Sequence, residues 1–145
     1  MAITYQMDIN APIEKVFDLV DDDEKIKLWM EGLEETIHTS PQDRENPVGG
    51  TFKQKIREGG RVTEYDGIVT AYQKPTHLGV QIGNASFQMQ VDYRFSEIPT
   101  GTRLNYETDM VNPSWFARIM GKLFSWLTKR ILNKHMANLK ALAES

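Results

Sequence analysis

Residues 51–72 read TFKQKIREGGRVTEYDGIVTAY, and the period of this stretch decides the architecture. From Thr51 to Glu58, Phe52, Gln54 and Ile56 point one way and Lys53, Lys55 and Arg57 the other, the two-residue repeat of a half-buried strand. Glu58-Gly59-Gly60-Arg61 is a hairpin signal, because paired glycines tolerate the positive φ of a tight turn. The return strand, Val62 to Tyr72, puts Tyr65 and Val69 on the face of Phe52. A slip of one residue would turn Glu64, Asp66 and Ile68 inward instead.

The same period continues downstream. Gln73-Lys74-Pro75-Thr76 breaks the chain before a strand from Leu78 to Ile82, whose Val80 joins the inward set. After a turn at Gly83-Asn84, Phe87, Met89, Val91, Tyr93 and Phe95 alternate with Gln88, Gln90, Asp92 and Arg94. Pro99-Thr100-Gly101 turns the chain into Arg103–Met110, with Leu104, Tyr106, Thr108 and Met110 on one face. Upstream, Ser40–Gly50 is a loop, Glu34–Thr39 a strand, and Ile3–Ile9 another with Ile3, Tyr5, Met7 and Ile9 inward. Between these, Asn10 or Ala11 caps a helix with Pro12 in its first turn, and that helix buries Val16, Phe17, Leu19 and Val20. Asp21-Asp22-Asp23 ends it and caps a second short helix carrying Ile26, Leu28 and Trp29, which Gly32 closes.

Consecutive antiparallel strands with one apolar face need a cover. The final segment is the candidate large enough: from Asn112-Pro113 to the C-terminus it predicts a helix of ~30 residues and ~45 Å. Its apolar stripe is not straight. Phe116, Ile119, Met120, Leu123 and Leu127 share one face, whereas Ile131, Leu132, Met136, Leu139 and Leu142 share another, rotated by on the order of 100°. The first half is expected to close a cavity and the second to grip the sheet. Trp115 and Trp126 lie beside Lys122, Lys129 and Arg130; tryptophan with cations suits a membrane interface, but packing of both indoles under loops is the favoured expectation.

Composition bounds the class. A chain of 145 residues, 40% hydrophobic and 26% charged, fits one globular domain spanning 1–145. The absence of cysteine removes disulfides and thiolate chemistry. The N-terminus has no secretory pattern and no apolar run approaches ~20 residues, so a cytoplasmic address is expected, with no transmembrane segment. The net charge of -3 is uneven: residues 114–145 carry six Lys/Arg against one Asp/Glu. That basic helix sits on an acidic body, and nucleic acid is not an expected partner.

The segment Asn10-Ala11-Pro12-Ile13-Glu14-Lys15-Val16-Phe17-Asp18-Leu19-Val20-Asp21 resembles the x-A-P-x-E-x-V-[FW]-x-L-[VI]-x-D opening of the START-like (SRPBCC) superfamily. That superfamily includes polyketide cyclase/dehydrase-type and birch-pollen-allergen-like proteins. Trp29, Gly49-Gly50, Gly67-Ile68-Val69 leading to Pro75, and Gly101-Thr102-Arg103-Leu104 follow in order across essentially the whole chain. The resemblance implies an α+β helix-grip fold: a curved antiparallel sheet of about seven strands around a long C-terminal helix, with two short helices after the first strand. It also implies an internal cavity for hydrophobic small molecules, and no particular reaction.

The residues themselves offer little chemistry. His38, His77 and His135 have no metal-ligand spacing, and no nucleophile elbow, phosphate loop or inward carboxylate pair is present, so neither metal nor cofactor is expected. The inward face therefore supplies the candidate ligand-binding residues: Phe52, Gln54, Ile56, Tyr65, Val69, Val80, Phe87, Met89, Val91, Tyr93, Tyr106 and Thr108 from the strands, and Phe116, Ile119, Met120 and Leu123 from the helix. The preferred expectation is a non-catalytic binder or carrier of a small hydrophobic, lipid- or polyketide-like ligand. One alternative is a cyclase or dehydratase in which Tyr65, Tyr93 or Tyr106 polarises a carbonyl of a polyketide-like substrate. Another is lipid handling at a membrane surface, or partner docking, through the basic helix.

Overall fold

The alternation of residues 51–72 is realised as a hairpin of β3 (Thr51–Glu58) and β4 (Arg61–Gln73), with Gly59 and Gly60 at φ 56° and 84° in its turn. The register pairs Phe52 with Gly67 and Gln54 with Tyr65, which resolves the choice left open above: Tyr65 and Val69 share the face of Phe52, and Glu64 and Asp66 do not. The computed structural model describes residues 2–41, 43, 45–85, 87–111 and 121–145, with side chains of the last stretch from Trp126 onward. Around the hairpin stand β1 (Ile3–Ile9), α1 (Ile13–Asp21), α2 (Asp23–Ile26) and β2 (Leu33–His38), followed by β5 (His77–Gly83), β6 (Gln88–Ile98), β7 (Gly101–Val111) and α3 (Gly121–Glu144). The seven strands form one antiparallel sheet in the order β1-β7-β6-β5-β4-β3-β2, an α+β helix-grip architecture.

The apolar strand faces form one continuous ladder. Reading across the sheet, Val69 pairs with Val80, Val80 with Val91, and Val91 with Thr108, which pairs with Ile3. α1 packs against this side near the β6–β7 turn, where the Phe17 ring meets Tyr72 and Phe95 edge-on at 5.6 and 5.4 Å. The Thr102 hydroxyl donates to Ala11 O at 2.8 Å and ties the entry of α1 to β7. Gly101, at φ 144°, has no room for a side chain, because a Cβ there would stand 2.2 Å from Ile9 O.

Several local expectations change. The first helix starts at Ile13 with Pro12 as its cap residue, extended and without a side-chain cap; the ring fixes φ near the value observed, -62°, which suits either side of the boundary. The second helix has only four residues, so Leu28 and Trp29 follow it rather than lie on it. Asp22 does cap it, accepting from the N–H groups of Glu24 and Lys25. Trp29 is fully buried and its indole N–H donates to Leu19 O at 2.7 Å, joining the end of α1 to the approach to β2.

In α3, Leu132, Met136, Leu139 and Ala143 are buried and Leu142 packs beside them, so the C-terminal half grips β1 and α1. Its end is knitted to β1: Glu144 accepts the Asn10 N–H at 2.8 Å, and the Lys140 ammonium donates to Asp8 O at 2.6 Å. Ile131, expected on this gripping face, is 47% exposed, and Leu127, expected on the cavity-closing face, is 48% exposed. Both stand on the far side of the helix from the buried set, which centres on Leu132 and Leu139. Trp126 is also open to solvent, at 57% exposed, with the Arg130 guanidinium 5.8 Å from its ring centre, contrary to the expected packing under loops. Trp115 lies outside the described residues.

Candidate functional site

The concave face of the sheet has two unlike ends. At the end capped by α1, the inward side chains are sealed: Phe52, Leu78, Tyr93, Phe95 and Leu104 are buried. Toward the β3–β4 hairpin and the β5–β6 turn the ladder continues with half-buried Ile56, Tyr65, Ile82, Met89 and Met110. Phe87, just before β6, completes this rim, its ring 6.1 Å from that of Tyr65 across the intervening β5. Val69, Val80 and Val91 form the wall between the ends. The structure thus brings the twelve strand-side candidates to one face. Phe116, Ile119 and Met120 fall in the stretch 112–120 and Leu123 among the side chains of 121–125, all outside the described residues.

Few polar groups interrupt this surface. Tyr93 and Tyr106 meet edge-on at 5.1 Å, and burial pushes both phenols up, Tyr106 to about 12 and Tyr93 further. The Thr108 hydroxyl is close enough to Tyr106 to moderate that rise, without the alignment of a hydrogen bond. Tyr65 donates to the Glu58 carboxylate at 2.8 Å; burial, then that carboxylate, raises its pKa to about 12. Gln54 is buried on the wall, and opposite it on β2 stands Thr36, whose hydroxyl oxygen is sealed from solvent without a partner among the described residues.

Two features escaped the sequence reading. A β-bulge between Val69 and Ala71 resets the alternation, so Tyr72 faces inward, touching Phe17 and donating to Asp21 at 2.8 Å. Burial raises the pKa of Asp21, and burial followed by that carboxylate raises Tyr72 to about 12. Nothing in the residue pattern marks the bulge, because Ala71 and Tyr72 are both apolar enough to face inward. The second feature is Thr36, where a polar residue on an expected edge strand gave no cue.

The arrangement can hold an apolar body and donate hydrogen bonds from neutral phenols. Among the described residues no cluster of His, Asp or Glu is placed to hold a metal ion, and no helix is long and apolar enough to cross a membrane. Two open surface hollows, one on the convex side along Gln6, Arg94 and Asn105 and one at the entry of α1, lie away from this face.

The family model for polyketide cyclase / dehydrase and lipid transport matches residues 1–144. No curated protein sequence matches the chain. Among solved structures, protein NE0264 from Nitrosomonas europaea is similar with a TM-score of 0.78 at 13% identity, over 98% of this chain and 93% of that one. Protein MLL2253 from Mesorhizobium loti gives 0.70 at 19% identity, over 98% and 96%. The di-domain ARO/CYC protein BexL from the BE-7585A biosynthetic pathway gives 0.77 at 16% identity, and this chain spans all of its own length and half of that protein. At such identities the likeness is one of fold.

Proposed function

The chain belongs to the polyketide cyclase / dehydrase and lipid transport family, and from that premise we propose that it binds or carries a small hydrophobic molecule against the concave face of its sheet. The observation that carries this reading is the Val69–Val80–Val91 wall running into a half-buried apolar rim. An ordinary core would seal that rim; here Ile56, Tyr65, Ile82, Phe87 and Met89 keep part of their surface. The neutral fluorophore N-phenylnaphthylamine tests the reading by titration. Saturable binding that Met89→Glu weakens by about tenfold or more supports it, since a buried carboxylate has no partner on this face. Absence of saturable binding refutes it. Native mass spectrometry of freshly purified protein would identify a co-purified ligand by its mass.

A catalytic version of the reading assigns Tyr65, Tyr93 and Tyr106 the polarisation of a substrate carbonyl. Their raised pKa values support donation from the neutral phenol, which is the form such polarisation needs. The exposed Trp126, Leu127 and Ile131 beside Lys129, Arg130 and Lys134 favour contact with an anionic lipid surface as an accompanying activity. Sedimentation with vesicles rich in phosphatidylserine tests this, and binding that survives Trp126→Ala unchanged would remove it.

A further inference from the structure

We propose that Thr36 and Gln54 form a polar subsite on the concave wall, and that the molecule held there is uncharged, with a carbonyl or hydroxyl oxygen on an otherwise apolar body. This rests on the ligand-binding reading above and names the ligand class for the same face. Gln54 is 8% exposed, and its carboxamide has no hydrogen-bond partner among the described residues. Thr36 is its cross-strand neighbour, and the Thr36 hydroxyl oxygen is buried and likewise unpartnered. Native interiors pair such groups almost without exception, because an orphan forfeits its hydration for nothing. Two orphans side by side mark a place where the partner belongs to another molecule. A carboxamide both donates and accepts, as does a hydroxyl, so the pair matches a ketone, an ester or an alcohol.

The charge distribution selects against an ion. Among the described residues, the lysines and arginines within β2–β7 alternate onto the convex side, as Lys53 does beside Asp66 and Arg103 beside Asp8; Arg61, at the hairpin tip, is the exception. Glu58 stands at the same tip, where it engages the Tyr65 phenol. A carboxylate or phosphate drawn onto the wall would lose its water and meet no cation beside Thr36 and Gln54. The adjoining surface, the Tyr65 ring and Val69, is apolar.

The test displaces N-phenylnaphthylamine with three competitors of equal chain length: undecane, methyl nonyl ketone and undecanoate. The ketone is expected to outcompete undecanoate. In the Gln54→Leu/Thr36→Val double variant, the advantage of ketone over alkane should fall about five- to tenfold relative to wild type, with probe affinity unchanged. Gln54→Met, which keeps the volume of the wall, should show a smaller fall in the same direction and carries the test if the double variant does not fold. Undecanoate competing as well as the ketone, or an unchanged ketone-to-alkane ratio in the variants, overturns the inference while probe binding leaves the broader reading standing. Failure of the probe to bind wild type overturns both.

Discussion

At the scale of single residues, the concave face works by what its side chains lack as much as by what they present. Gly67 is inward-facing, and the Phe52 ring fills its place so closely that a Cβ would stand 2.3 Å from the ring edge. Gly67→Ala should therefore cost about 1–3 kcal/mol in urea unfolding, through displacement of the ring rather than backbone strain. The tyrosines make a second residue-scale prediction. Tyr65, Tyr72 and Tyr106 are raised to about 12 and Tyr93 beyond. A phenol whose folded pKa exceeds its unfolded value, near 10, contributes stability that is intact below pH 10 and lost as pH climbs toward 12. Absorbance at the tyrosinate band should show these four ionising late, together with unfolding followed by circular dichroism. Their early ionisation in folded protein would contradict the burial described.

At the scale of elements, α3 is the informative case. Periodicity identified an anchoring half, and Leu132, Met136, Leu139 and the unanticipated Ala143 form the buried stripe. Ile131 is a stripe neighbour in sequence but stands roughly 100° from Leu132 around the axis, and solvent reaches it. Leu139→Ala should destabilise by about 2–5 kcal/mol, whereas Ile131→Ala should stay within about 0.5 kcal/mol; paired urea melts read the difference. Strand faces were more legible than the helix face. Side chains of a strand have two choices, and one polar–apolar alternation distinguishes them, as Lys53, Lys55 and Arg57 did for β3. A helix offers a continuum of directions, and an apolar residue at the margin of the stripe is decided by what lies opposite. The bulge that turned Tyr72 inward shows the limit even for strands.

At the scale of the whole molecule, the sealed end under α1 and the half-buried rim at the hairpin end divide the sheet into a part that holds the fold and a part open to a ligand. A ligand that binds the folded state alone stabilises it by mass action, by about 2.7 kcal/mol at a hundredfold excess over Kd. For a chain of this length, the expected rise in Tm with methyl nonyl ketone is about 5–10 °C, measured by differential scanning fluorimetry, and undecanoate should give a smaller rise. Equal shifts for the two would argue against a neutral subsite.

The sequence by itself determined the class of fold, the order of the strands along the chain and the side of the sheet each side chain takes, because two-residue alternation, paired glycines and proline caps are local properties of the chain. The ordered motifs from Ala11-Pro12 to Gly101-Thr102 carried the superfamily with them. Only the tertiary structure decided that Gln54 and Thr36 stand opposite one another without partners, that Tyr72 joins Asp21, and that Trp126 meets solvent. Each of those depends on which distant segment packs against the residue, and hydrogen-bond satisfaction and burial are properties of a pair of surfaces rather than of one strand's pattern.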